Sequence, residues 1–286
     1  MKIQSLSVLV PTKGCVNRCP FCVSEMHKEK YSDEVLWGEI EKRLRFVSAK
    51  NSCDTLILTG APGEAQQNKE FLKMFGMINK QLLFPYYWIE LQSTGVMFPN
   101  DMRLLWEEFK FLTNDVGVTT ISLSISDIFD LENNKKILGY KKPSLNTLEL
   151  CKAIKKWGFN LRISINMLSL YNSYSPKQII DRAKELEADQ ITFRKLYAYG
   201  GSEQAGYVRG NSCLKSKINE INDYIIHNGE KLQILPFGAI KYSVDGVSVV
   251  VDSDCMNKET KEALKFVILR GNKLYSRWDN KSSLLF

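Results

Sequence analysis

Histidine is almost missing from this chain: His27 and His227 are the only two among 286 residues. A metal site built mainly from imidazole is therefore excluded. Long apolar runs are missing as well. No stretch of about 18 consecutive apolar residues occurs, so no membrane-spanning helix is expected. The opening MKIQSLSVLVPTKG holds only a short apolar stretch before Pro11, too short for a secretory leader. A cytoplasmic protein without a membrane partner is the resulting expectation. Internal repeats, low-complexity tracts and flexible linkers are not found, nor is any helix-turn-helix, oligonucleotide-barrel or zinc-finger pattern. Nucleic-acid binding would rest on the net charge of +7 alone and is not expected. That charge gives a mild bias toward anionic ligands.

What is present has the composition of an ordinary globular chain, 44% hydrophobic and 25% charged. Short apolar runs alternate with longer helical patterns, the mark of βαβ units and a mainly parallel sheet. Strands are expected at Ser7–Thr12, Asp54–Thr59, Tyr87–Gln92, Val118–Ile125, Asn160–Met167 and Gln190–Leu196. Helices are expected between them. One is capped by Asp33, one begins near Asp101, one is capped near Ser144 and ends at Gly158, and one opens at Ser175-Pro176. Six such units are too few for a closed eight-unit barrel, and a six-unit open barrel or doubly wound sheet fits. After about residue 200 the pattern changes. Residues 212–228 look helical, and Asp245-Gly246 and Gly271-Asn272 mark two hairpins. A division into 1–200 and 201–286 follows, the second part read as a small antiparallel cap packed on the first.

Three of the seven cysteines crowd into CVNRCPFC (15–22), spaced C-x3-C-x2-C directly after the first strand. Such crowding points to metal rather than disulfides. Three thiolates on one short loop, Cys15, Cys19 and Cys22, can ligate three irons of a cubane and leave the fourth iron open to another ligand. Phe21 is placed to shield such a cluster. A structural zinc site would want a fourth ligand, and His27 is the nearest candidate.

CVNRCPFC, with its aromatic residue before the third cysteine, resembles the signature loop of the radical S-adenosylmethionine superfamily. The resemblance covers roughly residues 5–200 and implies a partial (β/α)6 barrel; with the later change of pattern, the expected fold is α/β, that barrel followed by a small C-terminal α+β extension. It implies a [4Fe–4S] cluster on Cys15, Cys19 and Cys22. S-adenosyl-L-methionine would bind the open iron and be cleaved reductively to a 5′-deoxyadenosyl radical that abstracts hydrogen from a small-molecule, nucleotide or peptide substrate. An electron donor such as flavodoxin or ferredoxin is implied as partner. TGAPGE (59–64) is similar to the family's Gly-Gly-Glu segment, with its glycines split. Gly60, Gly63 and Glu64 become cofactor-binding candidates, Glu64 as acceptor for the ammonium. Ser93, Ser124, Ser126 and Asn166 lie at the carboxyl ends of strands, where such folds bind ligands.

Two other readings stay open: an activase that installs a glycyl radical on a partner enzyme, and a non-catalytic iron–sulfur or zinc module. The remaining cysteines are isolated, and Cys151 lies on an apolar helix face. With only Cys213 and Cys255 in the tail, a second cluster is not expected; Cys255 reads as an ordinary loop cysteine. Arg162 and Arg194, inside strands, each need an anionic partner, either a ligand or an internal acid. Tyr197, Tyr199, Tyr207, Arg209, Tyr242, Tyr275, Arg277 and Trp278 either line a substrate lid or pack the cap.

Overall fold

The structure is a computed structural model and describes residues 2–26, 34–51, 53–140, 144–235, 239–252 and 263–285. His27, Asp33 and Cys255 lie outside the described residues. Six parallel strands form the centre of one sheet: β1 (Lys2–Pro11), β2 (Thr55–Ala61), β3 (Trp88–Ser93), β4 (Thr120–Ile125), β5 (Asn160–Asn166) and β6 (Gln190–Arg194), adjacent in chain order. The short α1 (Val23–Met26) and then α2 (Trp37–Asn51) follow β1. Next come α3 (Lys69–Gln81), α4 (Met102–Lys110), α5 (Leu131–Leu138), α6 (Thr147–Trp157) and α7 (Pro176–Glu185).

Parallel sheets usually bury both faces in apolar residues. Here the two faces differ. Along β1, Leu6, Val8 and Val10 are fully buried in the helix-side core, while Ser5, Ser7 and Leu9 line a cavity. The same alternation gives β3 an inner Glu90 and Gln92, β5 an inner Arg162 and Asn166, and β6 an inner Gln190 and Arg194. The sheet thus curls around a polar lumen. Outside, α4 and α6 meet through rings: Trp106 stacks on Trp157 at 5.4 Å, and Phe109 meets Phe159 edge-on at the same separation. Ring pairs of this kind contribute about 0.5–1.5 kcal/mol each beyond their buried area.

Local signals predict the helix ends well. Ser175 forms a capping box with Gln178, with Pro176 at the first position, and Gly158 ends α6 with φ 107. The cap of α6 is Asn146 rather than Ser144; its Oδ1 accepts from the N–H of Leu148 at 2.9 Å. Sequence periodicity misses α5, a short helix capped by Asp130, because two turns carry too few apolar repeats.

The C-terminal reading needs correction. Both hairpins form, but they do not make a cap packed on the barrel. After α8 (Glu203–Asn211) and α9 (Lys215–Asn228), the meander β7 (Glu230–Ile234), β8 (Ile240–Val244) and β9 (Val247–Asp252) joins the β6 edge, with β9 parallel to β6. The hairpin β10 (Ala263–Arg270) and β11 (Lys273–Tyr275) joins the opposite edge, with β10 parallel to β1. The result is an 11-stranded sheet ordered β11-β10-β1-β2-β3-β4-β5-β6-β9-β8-β7. The cause is the open barrel itself: β1 and β6 would otherwise present rows of unpaired N–H and C=O groups. Pairing with β10 also explains why β1 starts at Lys2, ahead of its expected start at Ser7. None of the helices described is long and apolar enough to cross a membrane.

Candidate active site

All six central strands point their carboxyl ends the same way, so the cysteine loop, the turn after β2 and the exits of β3 to β6 share one mouth. The cysteine loop is latched from several sides. Gln67 Nε2 donates to Gly14 O at 3.1 Å, Asn68 Nδ2 donates to Pro11 O at 2.9 Å, and Thr12 Oγ1 donates to Pro62 O. The Arg18 N–H donates to Leu138 O at 3.1 Å at the end of α5. Gly139 makes this approach possible: its φ is +64, and a Cβ there would sit 2.9 Å from that of Arg18. Gly63 does the same on the other flank. Its φ is +134, and a Cβ would lie 2.7 Å from Gly14 O. The split glycines of TGAPGE therefore let the β2 turn lie against the cysteine loop. Gly60 bridges back to Gly63 across the turn.

Cys15, Cys19 and Cys22 are half-buried free thiols. Cys19 and Cys22 line the lumen cavity, whose volume is about 1060 Å³. Burial, and then the nearby Cys22 and Cys15, push the Cys19 thiol up; burial does the same to Cys15, against a hydrogen bond from the Asn17 N–H. Cys15 and Cys19, whose burial opposes ionisation, form with Cys22 a donor set suited to bound cations, which compensate the thiolate charge. Among the described residues no three His, Cys, Asp or Glu side chains converge as one metal ion requires. A cubane makes a different demand, one thiolate on each of separate irons. Three thiols on one loop fit that demand.

Glu64 is buried, and burial raises its carboxyl above the usual range. Thr94 holds it, donating from Oγ1 at 2.8 Å and from its N–H at 3.2 Å. Asn17 of the cysteine loop reaches both: its Nδ2 lies 3.4 Å from Glu64 Oε1 and 2.8 Å from Thr94 Oγ1. The Asn17 Oδ1 is buried without a hydrogen-bond partner, an acceptor left over beside a carboxylate. Ser93 donates instead to Gln66 Oε1 at 3.2 Å, and Tyr140 donates to Thr94 O. Sequence reasoning missed Asn17 and Tyr140. Asn17 sits inside the motif, but nothing local announces Tyr140, which reaches Thr94 across 46 residues.

A second cluster joins β4 and β5. Asn166 Nδ2 donates to Ser124 Oγ at 3.1 Å and to Ser126 Oγ at 3.2 Å. Of the candidates, Cys19, Cys22, Gly60, Ser124 and Asn166 line the lumen cavity, while Cys15, Gly63, Glu64, Ser93 and Ser126 are not part of its lining. Phe21 also lines the cavity and packs on a small cluster of Met26, Ala205 and Val208, joined by Leu196 and Ala198 from the β6 exit. The aromatic residues of the tail divide. Tyr197 meets Trp278 edge-on at 5.1 Å, and both line the cavity, whereas Tyr275 is buried and Tyr242 packs against the main core. Cys151 is core, as expected.

A half-barrel with a three-cysteine loop at its strand mouths defines a class of protein, and comparison with known families agrees. The radical SAM superfamily model matches residues 9–186, and the chain belongs to that superfamily. No curated protein matches the sequence. Among solved structures, anSMEcpe with bound AdoMet and the Cp18Cys peptide is similar at TM-score 0.54 and 15% identity, over 79% of this chain and 59% of that one. Methylornithine synthase is similar at TM-score 0.53 and 16% identity, over 79% of this chain and 63% of that one. The chain thus spans less than two thirds of the length of either, and the likeness is one of fold.

Proposed function

We propose that this protein is a radical S-adenosylmethionine enzyme that abstracts hydrogen from a small-molecule, nucleotide or peptide substrate held in the lumen. The observation that carries the reading is the C-x3-C-x2-C loop at the strand mouths, with Cys19 and Cys22 facing the cavity that Ser124 and Asn166 also line. Cys15, Cys19 and Cys22 would hold a [4Fe–4S] cluster. Reduced by a donor such as flavodoxin or ferredoxin, a bound cluster would supply the one electron that cleaves S-adenosyl-L-methionine into methionine and a 5′-deoxyadenosyl radical.

The chain's own residues bind and enclose. Glu64 and the spare Asn17 Oδ1 are acceptors suited to an ammonium, and Asn166 with its two serines offers polar atoms suited to a ribose. Phe21 and the β6 exit pack on one apolar cluster beside the loop, which suits them to keep water from a bound cluster. The test is anaerobic reconstitution with iron and sulfide, followed by dithionite and S-adenosylmethionine. 5′-Deoxyadenosine is expected, and none from protein with a full cluster overturns the proposal. One zinc with no iron or sulfide in purified protein overturns it too.

A further inference from the structure

We infer that the molecule reacting in this lumen carries a carboxylate or phosphate, and that Arg194 is the residue that anchors it. The inference rests on reading the lumen as the reaction chamber and names the class of substrate it takes. Its starting point is an imbalance of charge. Glu90 is the one carboxylate among the described lining residues, against several cations that include Arg162, Arg194 and Lys241.

That carboxylate is already engaged. Arg162 Nη1 pairs with Glu90, and its Nε and Nη2 donate to Gln190 Oε1 at 2.9 and 2.7 Å. Arg162 therefore has the internal acid that a lumen arginine needs. Arg194, on the neighbouring strand and nearer the mouth, has none among the described side chains, although the β9 register sets Asp252 opposite it. Its Nε is buried and makes no hydrogen bond, and it forms no ion pair among the described residues. Removing a guanidinium from bulk water without a counter-charge is unfavourable, and an anion that accepts its planar fork of N–H groups reverses that.

The register says where the anion would sit. Arg194 pairs directly across from Asn166, so its anion would lie beside the Ser124–Ser126–Asn166 cluster. Leu196, two residues on, packs on the same cluster of Met26, Ala205 and Val208 as Phe21 of the cysteine loop, which places the same segment near the cysteine-loop end. Lys241 supplies a second cation on the inner face, opposite Val250, which in turn lies opposite Thr192. It too has no ion pair among the described residues.

The full chain is tested in two arms. In the first, cluster-free protein is titrated with inorganic phosphate and with succinate by calorimetry. Saturable binding is expected. Arg194→Met is expected to weaken it about ten-fold or more, the loss typical of hydrogen bonds to a charged group, and Lys241→Met less. Arg194→Lys, which keeps the charge without the fork, is expected between wild type and Arg194→Met; it also covers the case in which Arg194→Met fails to fold. No saturable binding, or equal binding in the variants, overturns the inference. In the second arm, S-adenosylmethionine binding to cluster-loaded protein is measured by equilibrium dialysis. An equal loss there in Arg194→Met assigns the anion to the cofactor's carboxylate and overturns the substrate assignment. Anion binding without any 5′-deoxyadenosine formation would sink the proposed activity while leaving the anion site standing.

Discussion

At the scale of single residues, the cysteine loop joins two kinds of group that are uncomfortable without a ligand. The thiols of Cys15 and Cys19 are pushed up by burial. Replacing Cys15, Cys19 or Cys22 by Ala is expected to abolish nearly all iron uptake, because each thiolate would hold a separate iron. Iron and sulfide analysis with the visible absorption of the reconstituted protein checks this, and uptake in all three variants equal to wild type would refute the ligand set. Glu64 is the second such group. Its folded-state value is raised above 4.5 by burial, so folding favours its neutral form. That contribution is complete below the unfolded value and is lost as pH rises through the folded one. Glu64→Gln should therefore raise the melting temperature of ligand-free protein near neutral pH, with a gain that shrinks as pH falls into the ordinary carboxylate range. The same variant should bind S-adenosylmethionine more weakly. A melting gain that does not change with pH would mean that the carboxylate charge is not the cause.

At the scale of elements, the cysteine loop is held by its neighbours rather than by itself. The turn after β2 is the closest of them. Gly63→Ala puts a Cβ 2.7 Å from Gly14 O at a φ of +134, a conformation that costs a residue with a side chain on the order of 1–3 kcal/mol. The expected outcome is a lower melting temperature together with less than about half the cluster occupancy of wild type, since the strain falls on the loop that carries the ligands. Normal occupancy in a stably folded Gly63→Ala would show that the turn does not position the loop. Much of this scale is legible in sequence. The alternation of strands and helices, the cap at Ser175 and the turn residues Asp245-Gly246 all act within a few positions of themselves. The start of β1 was not legible, because Lys2 to Leu6 become strand by pairing with Ala263 to Val267.

At the scale of the whole molecule, the C-terminal residues complete the sheet. Seven residues of β1 pair with β10, and five of β6 pair with β9. A chain ended after residue 252 would leave the β1 edge bare. It is expected to aggregate, as measured by light scattering and soluble yield, rather than to survive as an independent barrel. A monomeric truncated chain that still takes up iron would show that residues 1–200 fold as a separate unit. The same edge strands complete the lumen, since β8, β9 and β10 all contribute to its wall. The lumen wall is thus built partly from the C-terminal residues, although they form no layer of their own.

Sequence alone determined the features whose parts lie within one turn of chain. The three-cysteine loop is the chief of these, because sulfur spacing on a short loop is a local matter, and the parallel βα order follows from periodicity in the same way. Tertiary structure decided which distant groups meet. Arg162 found Glu90 from 72 residues away, while Arg194 found no such partner among the described residues. Glu64 is held by Thr94 and by Asn17 of the cysteine loop, 30 and 47 residues away. Strand order and face register set those meetings, and neither is written in the neighbourhood of any one residue.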